Sequence, residues 1–162
     1  MTYYCTMPSP IGPLLLTATE VGLSGVFMED HTGGPGPHPD WVHDPARLAA
    51  VVSQLERYFE GALHEFDLPL DMRGTPFQLE VWSALRKIPF GATASYRDLA
   101  AAVGRPNAVR AVGAANGRNP VSIVVPCHRV IGADGSLTGY GGGLPRKQFL
   151  LAHEARWSRH AS

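Results

Sequence analysis

Two cysteines, Cys5 and Cys127, are too few in 162 residues for a disulfide framework, and both are expected as reduced thiols. No segment approaches the roughly 18 consecutive apolar residues of a membrane span. The opening MTYYCTMPSPIG lacks the basic start and apolar core of a secretory signal, so a cytoplasmic protein with no membrane partner is expected. Charge of one sign is scarce in each half. Residues 1–72 hold two basic side chains against ten acidic ones, a net −8, whereas residues 73–162 hold twelve against four, a net +8. Ten of those twelve are arginines, which fork well onto phosphate oxygens. Attraction between the halves accounts for part of this asymmetry, but a basic half also has the electrostatic footprint of a nucleic-acid binder.

The first thirty residues read as short strands at 3–7, 14–19 and 23–28, with Ser9-Pro10-Ile11-Gly12-Pro13 as a turn. Residues 32–39 (TGGPGPHP) read as a Gly/Pro loop. Asp44 is expected to cap a helix with Pro45 at its first position. Leu48, Val51, Val52, Leu55, Tyr58 and Phe59 follow at helical spacing until Gly61. Residues 66–70 are read as a returning strand. The outcome is a small antiparallel sheet packed on one helix.

The second half reads as mainly helical. Thr75 and Gln78 form a capping box around Pro76, with Phe77, Val81, Leu85 and Ile88 on one face. Ser95 and Asp98 open a second helix that Gly104 ends, and a third runs from about 108 to Asn116. Two short helices joined by a three- or four-residue turn have the form of a helix-turn-helix. The later helix carries Ala108, Ala111, Gly113, Ala114 and Ala115, so Arg110 projects from a surface with little bulk. Such a surface suits either tight packing on a neighbouring helix or close approach to a DNA groove.

The run 121–125 is apolar and β-branched, and is expected as a buried strand delivering Pro126-Cys127-His128-Arg129 to a loop. Most free cysteines are small buried hydrophobes. Here His128 offers a base and Arg129 a positive charge, and both are expected to favour the thiolate. On an extended segment adjacent side chains diverge, so His128 needs a turn or a bridging water to reach the sulfur. The histidines at 31, 38, 43, 64 and 160 are read as solvated.

Pro126-Cys127-His128-Arg129-Val130, with Asn119-Pro120 before it, resembles the active-site signature of the O6-alkylguanine-DNA alkyltransferases. The resemblance spans nearly the whole chain: Phe77-Gln78 and Val81-Trp82, Ile88-Pro89-Phe90-Gly91, Ser95-Tyr96, Arg110-Ala111-Val112-Gly113, Gly139 to Gly143, Lys147, Leu150-Leu151 and His153-Glu154. It implies that Cys127 accepts the alkyl group, His128 takes the thiol proton through a water, and Glu154 orients His128. Asn119 supports the Cys127 segment, and Tyr140 donates a hydrogen bond to the departing base. Gly141, Val130 and Lys147 fall in the substrate pocket, with Gly141 standing where some relatives place a serine. The target base leaves the stack, Arg110 fills its space, Tyr96 presses on the adjacent phosphate, and Arg97 and Arg105 join the DNA contact.

The implied partner is double-stranded DNA carrying O6-alkylguanine, with O4-alkylthymine as a second substrate, bound by a chain that is monomeric when free. Sulfur is a soft nucleophile suited to a saturated carbon, and its product is a thioether that nothing here hydrolyses. No cofactor is needed, and each molecule acts once. Some relatives hold zinc with two cysteines and two histidines. Here Thr19 and Ser24 replace two of those ligands beside Cys5, so no metal is expected. A non-catalytic damage sensor would lack the cysteine, and a cysteine hydrolase would leave Arg110 and the basic half without a role. The expected fold is α/β (α+β). Residues 1–72 form the small sheet and helix, ribonuclease H-like by the resemblance, and residues 73–162 a mainly helical, winged-helix-like domain that binds DNA.

Overall fold

The computed structural model describes residues 1–29, 38–137 and 139–158. The loop expected at 32–39 lies, through residue 37, outside the described residues, as do His31 and His160. Strands β1 (Tyr3–Met7), β2 (Leu14–Ala18) and β3 (Leu23–Met28) pair antiparallel in sequence order. The turn between β1 and β2 closes through Gly12 N–H to the Ser9 carbonyl at 3.0 Å, with Gly12 at φ +100°. β2 is buried along its whole length, as the middle strand of a covered sheet should be. A two-residue strand, β4 (Val42–His43), joins β1 in parallel at the sheet edge. Residues 66–70 do not return as a strand. Only Leu70 bridges Leu23, because Pro69 has no N–H to extend a ladder.

Helix α1 (Ala49–Phe59) begins later than expected. Asp44 accepts from the Arg47 N–H at 3.2 Å, which closes a preliminary turn over 45–48 rather than capping the helix itself. Val51, Leu55 and Tyr58 form its buried stripe, and Gly61 ends it at φ +82°. In the second half α2 (Pro76–Leu85) and α3 (Tyr96–Ala102) start on the two expected capping boxes, each reciprocal between Thr75 and Gln78 or Ser95 and Asp98. Gly104 ends α3 at φ +73°, and α4 (Val109–Gly117) follows after a connection longer than expected, 103–108. A short strand β5 (Ala94–Ser95) lies immediately before α3 and pairs in parallel with β6 (Val130–Ile131). The chain closes on α5 (Leu144–Ser158).

One contiguous apolar cluster runs through both halves, from Leu14, Leu16 and Val26 to Val81, Leu85, Val125, Val130 and Leu150. Polar clasps reinforce it. Arg146 of α5 donates to the carbonyls of Ile11 at 3.0 Å and Glu29 at 2.6 Å. The free edge of β3 receives the chain ahead of Cys127, with Val26 N–H donating to the Pro120 carbonyl at 2.9 Å. Among the described residues, no helix is long and apolar enough to cross a membrane.

Candidate active site and nucleic-acid face

The segment leading to the thiol is buried as expected but is not a strand. Val121 bridges Val26 on the edge of β3, and then the chain turns. Val124 N–H donates to the Ser122 carbonyl at 2.8 Å, a tight γ-turn centred on Ile123, which is held at φ +73°. The pairing with β3 ends where Ser122 N–H donates to the Val26 carbonyl at 3.4 Å, and Asn119 holds the backbone on either side of the turn. Its Oδ1 accepts from Val121 N–H at 3.0 Å, and its Nδ2 donates to the Val125 carbonyl at 2.8 Å. Pro126 makes a second tight turn, with Cys127 N–H on the Val125 carbonyl at 2.8 Å. Residues Cys127–Arg129 then form one 3-10 turn, so the Cys127 and His128 side chains lie about a third of a turn apart and not on opposite sides of an extended chain.

Glu154, on α5 and 1% exposed, is the hub of the site. Its Oε2 lies 2.7 Å from His128 Nε2 and accepts from Tyr58 Oη at 2.6 Å and Arg129 Nη2 at 3.0 Å. Its Oε1 accepts from Arg129 Nε at 2.7 Å. Burial pushes the Glu154 carboxyl up, but the hydrogen bonds from His128 and Arg129, with the Arg129 charge, outweigh it and hold the group far below the usual carboxylate range. An ionised Glu154 accepts only, so the His128 proton sits on Nε2 and the neutral ring presents Nδ1 as an acceptor. Nδ1 is buried, with no hydrogen-bond partner among the described residues.

The electrostatics correct one expectation. Burial pushes the Cys127 thiol up, with Asn119 and Lys147 pulling the other way, so the resting group is the protonated thiol. Arg129 does not act on the sulfur, because its guanidinium is committed to Glu154 and, through Nη1, to the Ile88 carbonyl at 2.6 Å. Burial likewise holds the His128 imidazole below its ordinary value, outweighing Glu154, so the ring is neutral and able to accept. A proton-bearing thiol beside a neutral base held by an anion is arranged for proton removal at the moment of attack.

Lys147 is fully buried, its Nζ 2.5 Å from the Val130 carbonyl and 6.0 Å from the centre of the Tyr96 ring. Tyr140 has a buried hydroxyl with no hydrogen-bond partner among the described residues, in a loop where Gly141 is half-buried. Burial, with the nearby Cys127, drives that phenol well above its ordinary value, so it stays a donor. The structure thus gathers Cys127, His128, Glu154, Asn119, Tyr140, Lys147 and Val130 around one buried centre. Sequence reasoning missed Tyr58, whose only signal was a hydroxyl on the buried stripe of α1, where a phenol needs a partner. It also read His64 as solvated, whereas that ring is half-buried and stacks on Phe90 at 3.9 Å.

The remaining candidates lie on the helix-turn-helix. α4 divides its small residues between two faces. Val112, Ala115 and Asn116 are buried, with Trp82 Nε1 donating to the Ala115 carbonyl at 2.9 Å. Val109, Arg110, Ala111 and Ala114 are exposed. Tyr96 is half-buried beneath Gly113, while Arg97 is exposed on α3. Arg105 is exposed but occupied, paired with Glu80 at 3.7 Å and lying over the Phe77 ring. β5 and β6 link this face to the thiol, since one strand opens α3 and the other follows the Cys127 turn.

A helix-turn-helix joined through a common core to a buried cysteine–histidine–glutamate relay defines the class. Residues 76–156 match the family profile described as the DNA binding domain of 6-O-methylguanine DNA methyltransferase, and residues 2–72 match its ribonuclease-like domain. The chain is 54% identical over 158 residues to the methylated-DNA--protein-cysteine methyltransferase of Mycolicibacterium paratuberculosis, covering 98% of this chain and 95% of that one. The crystal structure of Mycobacterium tuberculosis OGT in complex with DNA superposes with a TM-score of 0.90 at 50% identity, covering 96% of this chain and 94% of that one. The enzyme of the same name from Methanosarcina barkeri is 48% identical over 94% of this chain and 96% of its own. The chain belongs to the 6-O-methylguanine DNA methyltransferase family.

Proposed function

We propose that this protein repairs alkylated DNA directly, moving the alkyl group from O6 of guanine onto Cys127 in a single irreversible turnover. The observation that carries the reading is the relay: a buried thiol, an adjacent neutral imidazole, and an ionised Glu154 fixing that imidazole at 2.7 Å. His128 takes the thiol proton, by way of a water, as Cys127 Sγ bonds to the alkyl carbon and the bond from that carbon to O6 breaks. Tyr140 donates a hydrogen bond to the departing guanine anion, which takes up the proton released from the thiol, by way of His128 and water, and so leaves in its neutral form. The thioether product is stable to hydrolysis, so the thiol is not restored, and the chemistry calls on no cofactor. Asn119 holds the loop that presents the sulfur, and Lys147, Val130 and Gly141 border the base.

The target base is flipped out of the duplex, because a buried sulfur does not reach an alkyl group inside the stack. The exposed small-residue face of α4 approaches the groove, with Arg110 filling the vacated space and Tyr96 and Arg97 near the backbone. Arg105 contributes less, being held by Glu80. The same pocket takes O4-alkylthymine. Residues 1–72 and 73–162 act as two domains of a cytoplasmic protein, monomeric when free, with the second carrying DNA and acceptor. The test is to incubate the protein with a duplex bearing one O6-methylguanine and weigh the intact chain. One methyl per molecule, mapped to Cys127, is expected. An unchanged mass, or repeated turnover, overturns the reading.

A further inference from the structure

The carboxylate that holds His128 is also held from the other end of the chain. Tyr58 sits in the last turn of α1, is fully buried, and places its hydroxyl 2.6 Å from Glu154 Oε2, the oxygen that also meets His128 Nε2. Both ends of the residue are fixed. Its own carbonyl lies 2.7 Å from His153 Nε2, and its ring packs among Phe59, Phe66, Phe90 and His153. A buried phenol needs a hydrogen-bond partner, and the partner here is the carboxylate oxygen that also meets the imidazole and the guanidinium.

We propose that Tyr58 is a positioning residue of the alkyl-transfer site: through Glu154 Oε2 it fixes the carboxylate against His128 and limits how strongly that oxygen draws the imidazole proton. The proposal rests on the role given to His128 above. Arg129 bonds both carboxylate oxygens, so loss of the Tyr58 hydroxyl leaves Glu154 in place. What changes is the basicity of Oε2. With one donor fewer it becomes a stronger acceptor, and His128 holds its proton more tightly. A ring already protonated does not take the thiol proton. The other groups facing this pair are Cys127 and Arg129 in the same turn, Lys147 on α5 and Tyr140 in the pocket loop, and none of them replaces the lost donor on Oε2.

The experiment compares full-length wild type with Tyr58→Phe, which keeps the ring and removes only the hydroxyl. Single-turnover transfer from free O6-benzylguanine is followed from pH 5 to 9, and the His128 imidazole is titrated by NMR in both proteins. The His128 titration and the acid limb of the rate profile should both move up in the variant, by about half a pH unit. On the Glu154→Gln background, adding Tyr58→Phe should change the rate less than twofold. A lower melting temperature with an unmoved titration and an unmoved rate profile overturns the proposal and leaves Tyr58 a packing residue. So does a Tyr58→Phe defect of equal size with and without Glu154. Failure of wild type to accept an alkyl group on Cys127 is a different result, and removes the functional reading together with this one.

Discussion

Arg129 and Glu154 are joined by two hydrogen bonds, Nε to Oε1 at 2.7 Å and Nη2 to Oε2 at 3.0 Å, both in the protein interior. The arginine next to the thiol relay therefore steadies the acid and does not activate the sulfur. Removing the charge from Glu154 leaves a buried guanidinium without its partner. Glu154→Gln should lower stability by about 3 kcal/mol or more and slow transfer to Cys127, measured by denaturant melts and single-turnover kinetics. A variant as stable as wild type would show that the pair contributes little.

The same network sets a pH dependence of stability whose two limbs have one sign. His128 is held below its ordinary 6.5, so its contribution is complete above that value and is lost as pH falls through the depressed one. Glu154 is held far below its ordinary 4.5, so its contribution is complete above 4.5 and declines as pH falls beneath it. The melting temperature should begin to drop below about 6.5 and drop further below about 4.5. Glu154→Gln should make the second limb shallower, with Asp71, Asp98 and Asp134, also held below their ordinary values, supplying what remains. A wild-type melting temperature flat from pH 7 to 4 would contradict both assignments.

Much of this was legible in the residues. The capping boxes at Thr75 and Ser95 fixed two helix starts, and the charge split separated an acidic half from a basic one. Cys127 and His128 stood out by their own chemistry and adjacency, whereas Glu154 joined them through family likeness. The failures have physical causes. An apolar β-branched run at 121–125 reads as strand, yet its pairing with β3 stops at Ser122, and the rest folds back onto Asn119. Arg129 was read as a free charge because nothing local shows that its partner lies 25 residues on. The buried hydroxyl of Tyr58 was a signal without a partner for the same reason, since Glu154 lies 96 positions on.

The γ-turn at Ile123 yields a prediction about order. At an ordinary position an alanine variant is more stable than a glycine variant by about 0.5–1 kcal/mol. Ile123 is buried at φ +73°, where a Cβ itself is unfavourable. Ile123→Gly and Ile123→Ala both open a cavity, but the glycine should be the more stable of the two, by about 0.5–1 kcal/mol. Denaturant melts that restore the usual order would mean the turn relaxes when the side chain is cut back.

The two thiols should behave differently despite similar burial. Cys5 lies in β1 against the core, where burial alone raises it. Cys127→Ser should abolish alkyl transfer while binding to a duplex bearing O6-methylguanine stays within a fewfold of wild type. Cys5→Ser should transfer normally. Peptide mapping that finds the methyl group on Cys5 would reassign the acceptor.

Arg110 offers a separation of base flipping from chemistry. It is exposed on α4, on the face lined by Ala111 and Ala114, away from the buried Val112 and Ala115. If it stands in for the flipped base, Arg110→Ala should slow repair of duplex DNA far more than transfer from free O6-benzylguanine. The free base is already unstacked and escapes an extrusion cost of about a few kcal/mol. A lesion opposite a mismatched base opens more easily and should show a smaller defect. Arg105→Ala serves as the comparison, since Glu80 already partners that side chain. It should alter the salt dependence of DNA binding only slightly and leave the ratio of duplex to free-base rates unchanged. Equal slowing of Arg110→Ala on both substrates, with a lower melting temperature, would make Arg110 a brace for helix packing. Cys127 would keep its role in either case, because the free base reads the chemistry without the duplex.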